Sequence, residues 1–496
     1  MNRFNTRTVI GLAVALALAS GTASATNGYF SGVGTKSKGL AGAGSADPGE
    51  ILAIATNPAG LALLPETVDA GLGFFSPSRK YKTSESLLNG NCFVPPGSET
   101  PFCPFTIGPN NLQSENEIFP VPYAAMSWKL NDQNALAVAF YGRGGMNTQW
   151  QGGTATFDPD GYCPPESPAG TLGCFYGPTT FRGTYGGGSP VALPGDPAQS
   201  GDAGVDLAQV LLNTTYAWKT ADDQFAVGVS AIFAMQLFQA RGVGAFAPYT
   251  KTFVESYNPQ TGMGTMPKHL SGNGHESSYG FGGSVGGIWN INKMFSVAAA
   301  YTSKIFMSKL NDYSDLFAEN GGFDIPATAT LGLTVRPTDQ WAASFDYQTI
   351  WYSDIPSVGN PIQKIYNCPT AGGSKPQSCL GGNNGAGFGW KDMDIYKVGL
   401  AWQYDDAWTF RVGFSVPDSQ PIPKSQMTFN ILAPGVVEQH YTAGFTHRME
   451  GGNELSLSLM YAPTVSVKGP NNFDPTQTVE FSMHQFDLEL GYSWGR

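Results

Sequence analysis

The chain reads as an all-β protein: a 14-stranded antiparallel transmembrane β-barrel with an N-terminal segment folded inside its lumen. Three observations predict this. Fourteen stretches alternate apolar and polar residues with the period-two spacing of a half-buried strand. Their connections alternate between tight turns and long loops, the rhythm of an outer-membrane barrel with short turns on one side and long loops on the other. Charged residues make up only 13% of the chain, against 12% aromatics and 63 glycines. A soluble domain usually carries about 25% charge, whereas a wall facing lipid needs little.

Taken in order, the chain first shows an export signal. Arg3 and Arg7 give a positive start, Val9 to Ala19 an apolar core too short to span a bilayer as a helix, and Ala23-Ser24-Ala25 a small-residue cleavage site. The expected divisions are 1–25 as signal peptide, 26–65 as a hatch or plug, and 66–496 as the barrel. When Arg3 and Arg7 leave with the signal, the 27 basic residues fall to 25 against 38 acidic ones, a net of about −13 that argues against nucleic-acid binding.

The segment from Thr26 to Pro65 has neither a helical stripe nor strand alternation, and it ends in Asn57-Pro58-Ala59-Gly60-Leu61-Ala62. Gly32, Gly34, Gly39, Gly42 and Gly44 would let it turn tightly within a ring of strands. A flexible linker is the plainer alternative.

The strands are expected at 67–79, 118–130, 134–150, 205–219, 225–246, 276–290, 294–308, 324–336, 341–352, 392–403, 408–416, 438–449, 454–465 and 478–494. Within 341–351, Trp341, Ala343, Phe345, Tyr347 and Trp351 lie on one face, and Ala342, Ser344, Asp346 and Gln348 on the other. Short turns fall at 131–133, 221–224, 290–293, 337–340, 404–407 and 450–453, and long loops at 80–117, 151–204, 247–275, 309–323, 353–391, 417–437 and 466–477. Closure of such a sheet pairs every backbone group that would otherwise face hydrocarbon.

Cys92 and Cys103, Cys163 and Cys174, and Cys368 and Cys379 each stand eleven positions apart in loops of an exported chain. Local disulfides stapling three external loops are the natural reading, although six cysteines formally allow about 15 connectivities. Metal binding lacks a C-x-x-C or Cys/His cluster, and no cofactor or catalytic residue is expected. Gly282-Gly283-Ser284-Val285-Gly286 matches the hydrolase pattern G-x-S-x-G but sits inside a strand. His269, His275, His440, His447 and His484 read as isolated loop or wall residues. Tyr301, Tyr347, Trp402, Tyr461, Tyr492 and Trp494 fit an interfacial girdle.

The runs SGVGTKSKGLAGAGSA at 31–46, NPAGLA at 57–62 and YDDAWTFRVGFSVPDSQPIPKS at 404–425 resemble the FadL/TodX family of outer-membrane transporters for long-chain fatty acids and other hydrophobic compounds. The resemblance implies a hatch motif at Asn57, Pro58 and Ala59, and sideways release of cargo through a gap at a kink in the third strand. Gly142, Gly144 and Gly145 interrupt that strand, where glycine weakens pairing and marks bends. Lys391 sits where the family carries a head-group lysine; Met235 stands where a pocket arginine would be expected, with Arg241 as a possible substitute. The expected partners are a hydrophobic small molecule, a long-chain fatty acid or an aromatic hydrocarbon, and outer-membrane lipid, with the chain a monomer. The expected function is passive, energy-independent uptake in a bacterial outer membrane; an uptake channel for aromatic hydrocarbons, an outer-membrane hydrolase and a structural or adhesive barrel are the alternatives.

Overall fold

A computed structural model describes residues 31–97, 101–159, 161, 163, 177–191, 201–258, 260 and 263–495. The signal peptide, residues 26–30 and Cys174 lie outside the described residues.

Fourteen wall strands follow one another: β1 Thr67–Thr83, β2 Phe119–Lys129, β3 Asn134–Asn147, β4 Gly204–Lys219, β5 Phe225–Arg241, β6 Glu276–Asn290, β7 Phe295–Thr302, β8 Thr328–Thr338, β9 Trp341–Ile350, β10 Met393–Gln403, β11 Trp408–Pro417, β12 His440–Arg448, β13 Glu454–Asn471 and β14 Asp474–Gly495. Each pairs antiparallel with its neighbours in sequence, and β14 returns to β1 from Thr67↔Gly495 to Thr83↔Val479, closing the cylinder. Two short pieces extend the wall, Asn111–Gln113 on β1 and Phe306–Met307 on β6, and the loops add a separate sheet from Thr106–Ile107, Thr154–Phe157 and Thr179–Arg182.

The alternation sorts residues as the sequence implies, with the polar face inward. In β9, Ser344 and Asp346 are buried while Trp341 and Phe345 are exposed, and in β14 Gln485, Asp487 and Glu489 are buried while Phe486, Leu488 and Leu490 are exposed. An exterior of leucine and aromatic side chains suits lipid, and a carboxylate row suits only a lumen that supplies partners. Trp341 and Trp402 stack at 5.3 Å among the outward aromatics near the short turns.

One connection differs from expectation. Residues 466–477 form no long loop, because β13 and β14 continue as a paired hairpin to Asn471↔Asp474. Val467, Val479 and Phe481 stay buried there, and Asn471, Asp474 and Gln477 bond to Phe105, Thr106 and Ile107 from the first long loop. That packing rewards extended pairing where the run Gly469-Pro470-Asn471-Asn472 suggests an open loop. Disulfides join Cys92 to Cys103 and Cys368 to Cys379, and Cys163 is also disulfide-bonded.

Candidate functional site

Residues 31–65 carry only short helical turns, at Thr35–Lys38, Ile51–Ala55 and Pro58–Leu63, yet they bond to strands all round the cylinder. The Ile51 amide donates to Asp69 on β1 at 3.1 Å, and Thr35 Oγ1 lies 2.9 Å from the Tyr123 hydroxyl on β2. The amides of Gly44 and Ser45 donate to Asp346 on β9, and Arg336 on β8 pairs with Asp47 at 2.7 Å. Lys36 pairs with Glu454 on β13 at 2.5 Å, while Lys38 reaches Asp487 at 2.7 Å and Glu489 at 2.6 Å on β14. A short segment can touch so many strands of a closed wall only from inside.

Asn57 is the hinge of this docking. Its Oδ1 accepts from the Ala59 amide at 3.1 Å, capping the Pro58–Leu63 turn, and its Nδ2 donates to Ser45 O at 3.1 Å and to Gly287 O on β6 at 3.3 Å. Pro58 fixes φ at the first position of the turn, where a missing N–H costs nothing. The wall makes room with glycine: a Cβ on Gly286 would stand 2.1 Å from Asn57 Oδ1, and one on Gly228 2.4 Å from the Pro58 carbonyl carbon. The family resemblance singles out Asn57, Pro58 and Ala59 but not these two glycines, whose place inside strands looks like a bulge signal.

The charges inside are held strongly. Burial works against the Lys38 charge, but Asp487 and Glu489 outweigh it and keep the ammonium above its ordinary range. Glu50 is the opposite case: burial pushes its carboxyl up from 4.5 to about 7, against the pull of Lys36 and the Ser37 amide.

The wall itself is interrupted between β2 and β3. Their ladder runs from Lys129↔Ala135 to Ala124↔Phe140 and stops. Beyond it, Phe119–Tyr123 of β2 pair only with β1, and Tyr141–Asn147 of β3 pair only with β4. Register slips between Gly142 and Gly144, leaving Arg143 as a bulge among the glycines noted in the sequence, with Gly145 continuing the ladder opposite Ala208. Pro120 and Pro122 have no amide hydrogens to offer a partner strand, a signal visible in the run Phe119-Pro-Val-Pro-Tyr123 that sequence reasoning passed over. Past the break the edges rejoin: the Arg79 guanidinium donates to the carbonyls of Asn116 and Asn147, Asn116 Nδ2 donates to Asn147 Oδ1 at 3.1 Å, and the Glu115 amide donates to Gln149 O at 3.0 Å. The result is a window, roughly 17 Å tall for five residues of strand, with Ile118 exposed at its rim.

Behind the window lies a cavity whose apolar lining includes Val33, Phe75, Pro122, Tyr123, Tyr141 and Met460. A second cavity, among the loops, is lined by Phe238, Phe246, Phe317, Leu380, Phe388 and Phe429, with Ser357 as its one polar side chain. On the short-turn side of the inner segment is a polar recess between Lys36, Asp47 and Arg411.

The two cations singled out for a head group lie elsewhere. Lys391 is exposed just ahead of β10, its amide donating to Pro421 O at 2.8 Å, and Arg241 is the half-buried last residue of β5. Both stand at the loop end of the wall, and neither lines the cavities just described. Met235 shares its strand face with the exposed Val227 and Val229 and points away from the lumen, whereas Gln236 beside it is buried. Gly282–Gly286 lies wholly within β6, so Ser284 has no strand-to-helix turn, and its buried Oγ makes no hydrogen bond among the described residues.

Fold and site together define a β-barrel of the bacterial outer membrane with its own N-terminal segment packed in the lumen. The chain belongs to the outer membrane protein transport family (OMPP1/FadL/TodX), whose profile matches residues 194–487. It is 26% identical over 320 residues to the long-chain fatty acid transport protein of Salmonella typhi, a match covering 60% of this chain and 66% of that one, slightly under two thirds of the relative's length. The long-chain fatty acid transport protein of Escherichia coli K12 is likewise 26% identical over 327 residues, covering 60% of this chain and 67% of its own. Among solved structures, the toluene transporter TodX of P. putida superposes with a TM-score of 0.55 at 14% identity, over 95% of this chain and 99% of that one. A Pseudomonas aeruginosa FadL homologue superposes with a TM-score of 0.56 at 15% identity, over 94% and 99%. At these identities the structural matches speak for the fold alone.

Proposed function

We propose that this protein takes up long-chain fatty acids or similar hydrophobic molecules passively and releases them sideways, through the window, into the outer membrane. The observation that carries the reading is the unpaired stretch between β2 and β3 with an apolar cavity directly behind it. In a lipid-facing wall, unpaired backbone is tolerated only where it borders protein or a cavity, so a gap at this place has a use. Cargo enters from the loop side, where the phenylalanine-lined cavity removes apolar surface from water at about 25 cal/mol per Å². Lys391 and Arg241, both at that end, meet a carboxylate first. Residues 26–65 act as the hatch: Asn57, Pro58 and Ala59 hold it against β6, and it keeps polar solutes from crossing while cargo turns aside. The export signal at 1–25 is removed beforehand.

Aromatic hydrocarbons are a second reading, favoured by the outer cavity, in which no charged side chain takes part. The reading is tested by replacing Gly142, Gly144 and Gly145 together with Val, which stiffens β3 beside the window. Uptake of labelled oleate and toluene by cells should fall several-fold while heat-modifiable mobility shows a folded barrel. Undiminished uptake by folded protein would overturn sideways release.

A further inference from the structure

The upper end of the window is closed by a single side chain. Arg79 stands on β1 between that strand's two stretches of pairing on the window side, Phe75↔Phe119 below and Lys80↔Gln113 above. It is 2% exposed and shares the inner face of β1 with the buried Phe75 and Tyr81. Its guanidinium donates from Nη2 to the carbonyl of Asn116, which leads into β2, and from Nη1 to the carbonyl of Asn147, the last residue of β3. One planar group thus spans the gap, its central carbon 5.6 Å from the centre of the Phe119 ring at the rim.

The chemistry of the gap explains why an arginine stands there. Where two strands part beside lipid, carbonyls that lose their ladder partners need other donors. A guanidinium carries five N–H groups in a fixed fork and serves two acceptors at once, whereas an ammonium acts as a point charge. Both ends of the crossbar are anchored. The Ser114 amide donates to the Arg79 carbonyl at 2.9 Å, and Asn147 Nδ2 donates to Asp206 on β4 at 3.0 Å. Behind these anchors, β1 is laced to β14 and β4 to β5 along their lengths.

The window is therefore a slit fixed at both ends, by Ala124↔Phe140 below and by Arg79 above. Strands held at both ends bow apart only slightly; strands held at one end swing open like scissor blades. Without the guanidinium, the bonds that remain across the top join uncharged groups: Asn116 Nδ2 to Asn147 Oδ1 at 3.1 Å, and the Glu115 amide to Gln149 O at 3.0 Å. Such bonds are weaker than those from a charged donor.

We propose that Arg79 is a specificity-determining residue: by tying the approach to β2 onto the end of β3 it sets how wide the window opens. Sideways release is thereby restricted to cargo of narrow cross-section, a single chain or single ring rather than a fused ring system. The proposal rests on the transport reading above and deepens it.

The test uses the full-length protein in lipid nanodiscs, spin-labelled at Ile118→Cys on the rim and at Ala208→Cys, which stands opposite Gly145 on β4. Double electron–electron resonance then reads the distance across the window. Wild type should give one narrow distribution. Arg79→Met should add a longer component whose population rises about tenfold or more, the effect of losing a hydrogen bond to a charged group. Arg79→Lys, which keeps the charge and most of the bulk, should fall between the two. In cells, uptake of radiolabelled oleate is compared with that of a pyrene-tailed fatty acid of similar length, which has the same carboxylate and a wider tail. Arg79→Met should raise the ratio of pyrene-tailed acid to oleate several-fold. Joining Asn116→Cys to Asn147→Cys with a short bis-thiol reagent in that background should return the ratio to the wild-type value. If the distances do not change in either Arg79 variant, Arg79 does not close the window and the proposal falls. If they lengthen while the ratio stays constant, width does not select cargo and the proposal falls while sideways release stands. If wild type takes up neither acid, the transport reading fails and the specificity role fails with it, whatever the distances show.

Discussion

Lys38 offers the sharpest test of how the inner segment is held. Its side chain is 10% exposed, those of Asp487 and Glu489 are 8% and 2% exposed, and the two contacts are 2.7 and 2.6 Å. Lys38→Met removes the single positive charge from a site that retains two buried carboxylates. Breaking a buried ion pair from one side costs about 3–5 kcal/mol, most of it the penalty of the stranded charge. At about 1.4 kcal/mol per factor of ten, the equilibrium between docked and displaced segment should move by roughly two to four decades. The barrel wall, with its own ladders, should stay folded. Planar-bilayer recordings provide the assay: wild type should pass little ion current, and Lys38→Met should show frequent openings. The triple change Lys38→Met, Asp487→Asn, Glu489→Gln leaves no stranded charge and should return the conductance most of the way to wild type. If the single variant is as quiet as wild type, or if the triple variant leaks as much as the single one, the ion triad is not what retains the segment.

Three further outcomes follow from the geometry. Because the docked Glu50 titrates at about 7 rather than 4.5, its proton favours docking: the stabilisation is full below about 4.5 and is lost as pH rises through 7. Bilayer leak should therefore increase over that interval, and Glu50→Gln should flatten the profile; Lys36, Asp69, Tyr123 and Arg411 surround the group. Gly286→Val drives a side chain into Asn57 Oδ1, so the cap on Ala59 is lost at about 1–2 kcal/mol, and hydrogen exchange of the Pro58–Leu63 amides should quicken while the β6 amides stay protected. Replacing Cys368 and Cys379 with Ala removes the loop staple, worth about 2–4 kcal/mol. Protease should then cut within 351–392, with heat-modifiable mobility of the barrel unchanged.

The wall was legible because each strand declares itself locally. Alternation at Trp341–Ile350 sorts its residues onto the two faces that the structure shows, and the tight turns set the strand partners. The hairpin at 466–477 was misread because its stability comes from Phe105, Thr106 and Ile107, distant in sequence. The window shows the same division. Its glycine-rich strand could be read from Gly142, Gly144 and Gly145, whereas the unpaired partner edge, the Arg79 bonds that rejoin it and the Lys38 triad span separations such as the 449 residues between Lys38 and Asp487. Asn57 stood out as a motif, but its glycine seats on β5 and β6 carry no pattern of their own.

The short β2–β3 ladder also has a mechanical meaning. A tube under tension around its circumference parts where the fewest bonds cross the seam, and here that line runs from Lys129↔Ala135 only as far as Ala124↔Phe140, while β1 and β14 are laced along their full length. Stretching of the surrounding bilayer would thus load the β2–β3 seam before any other.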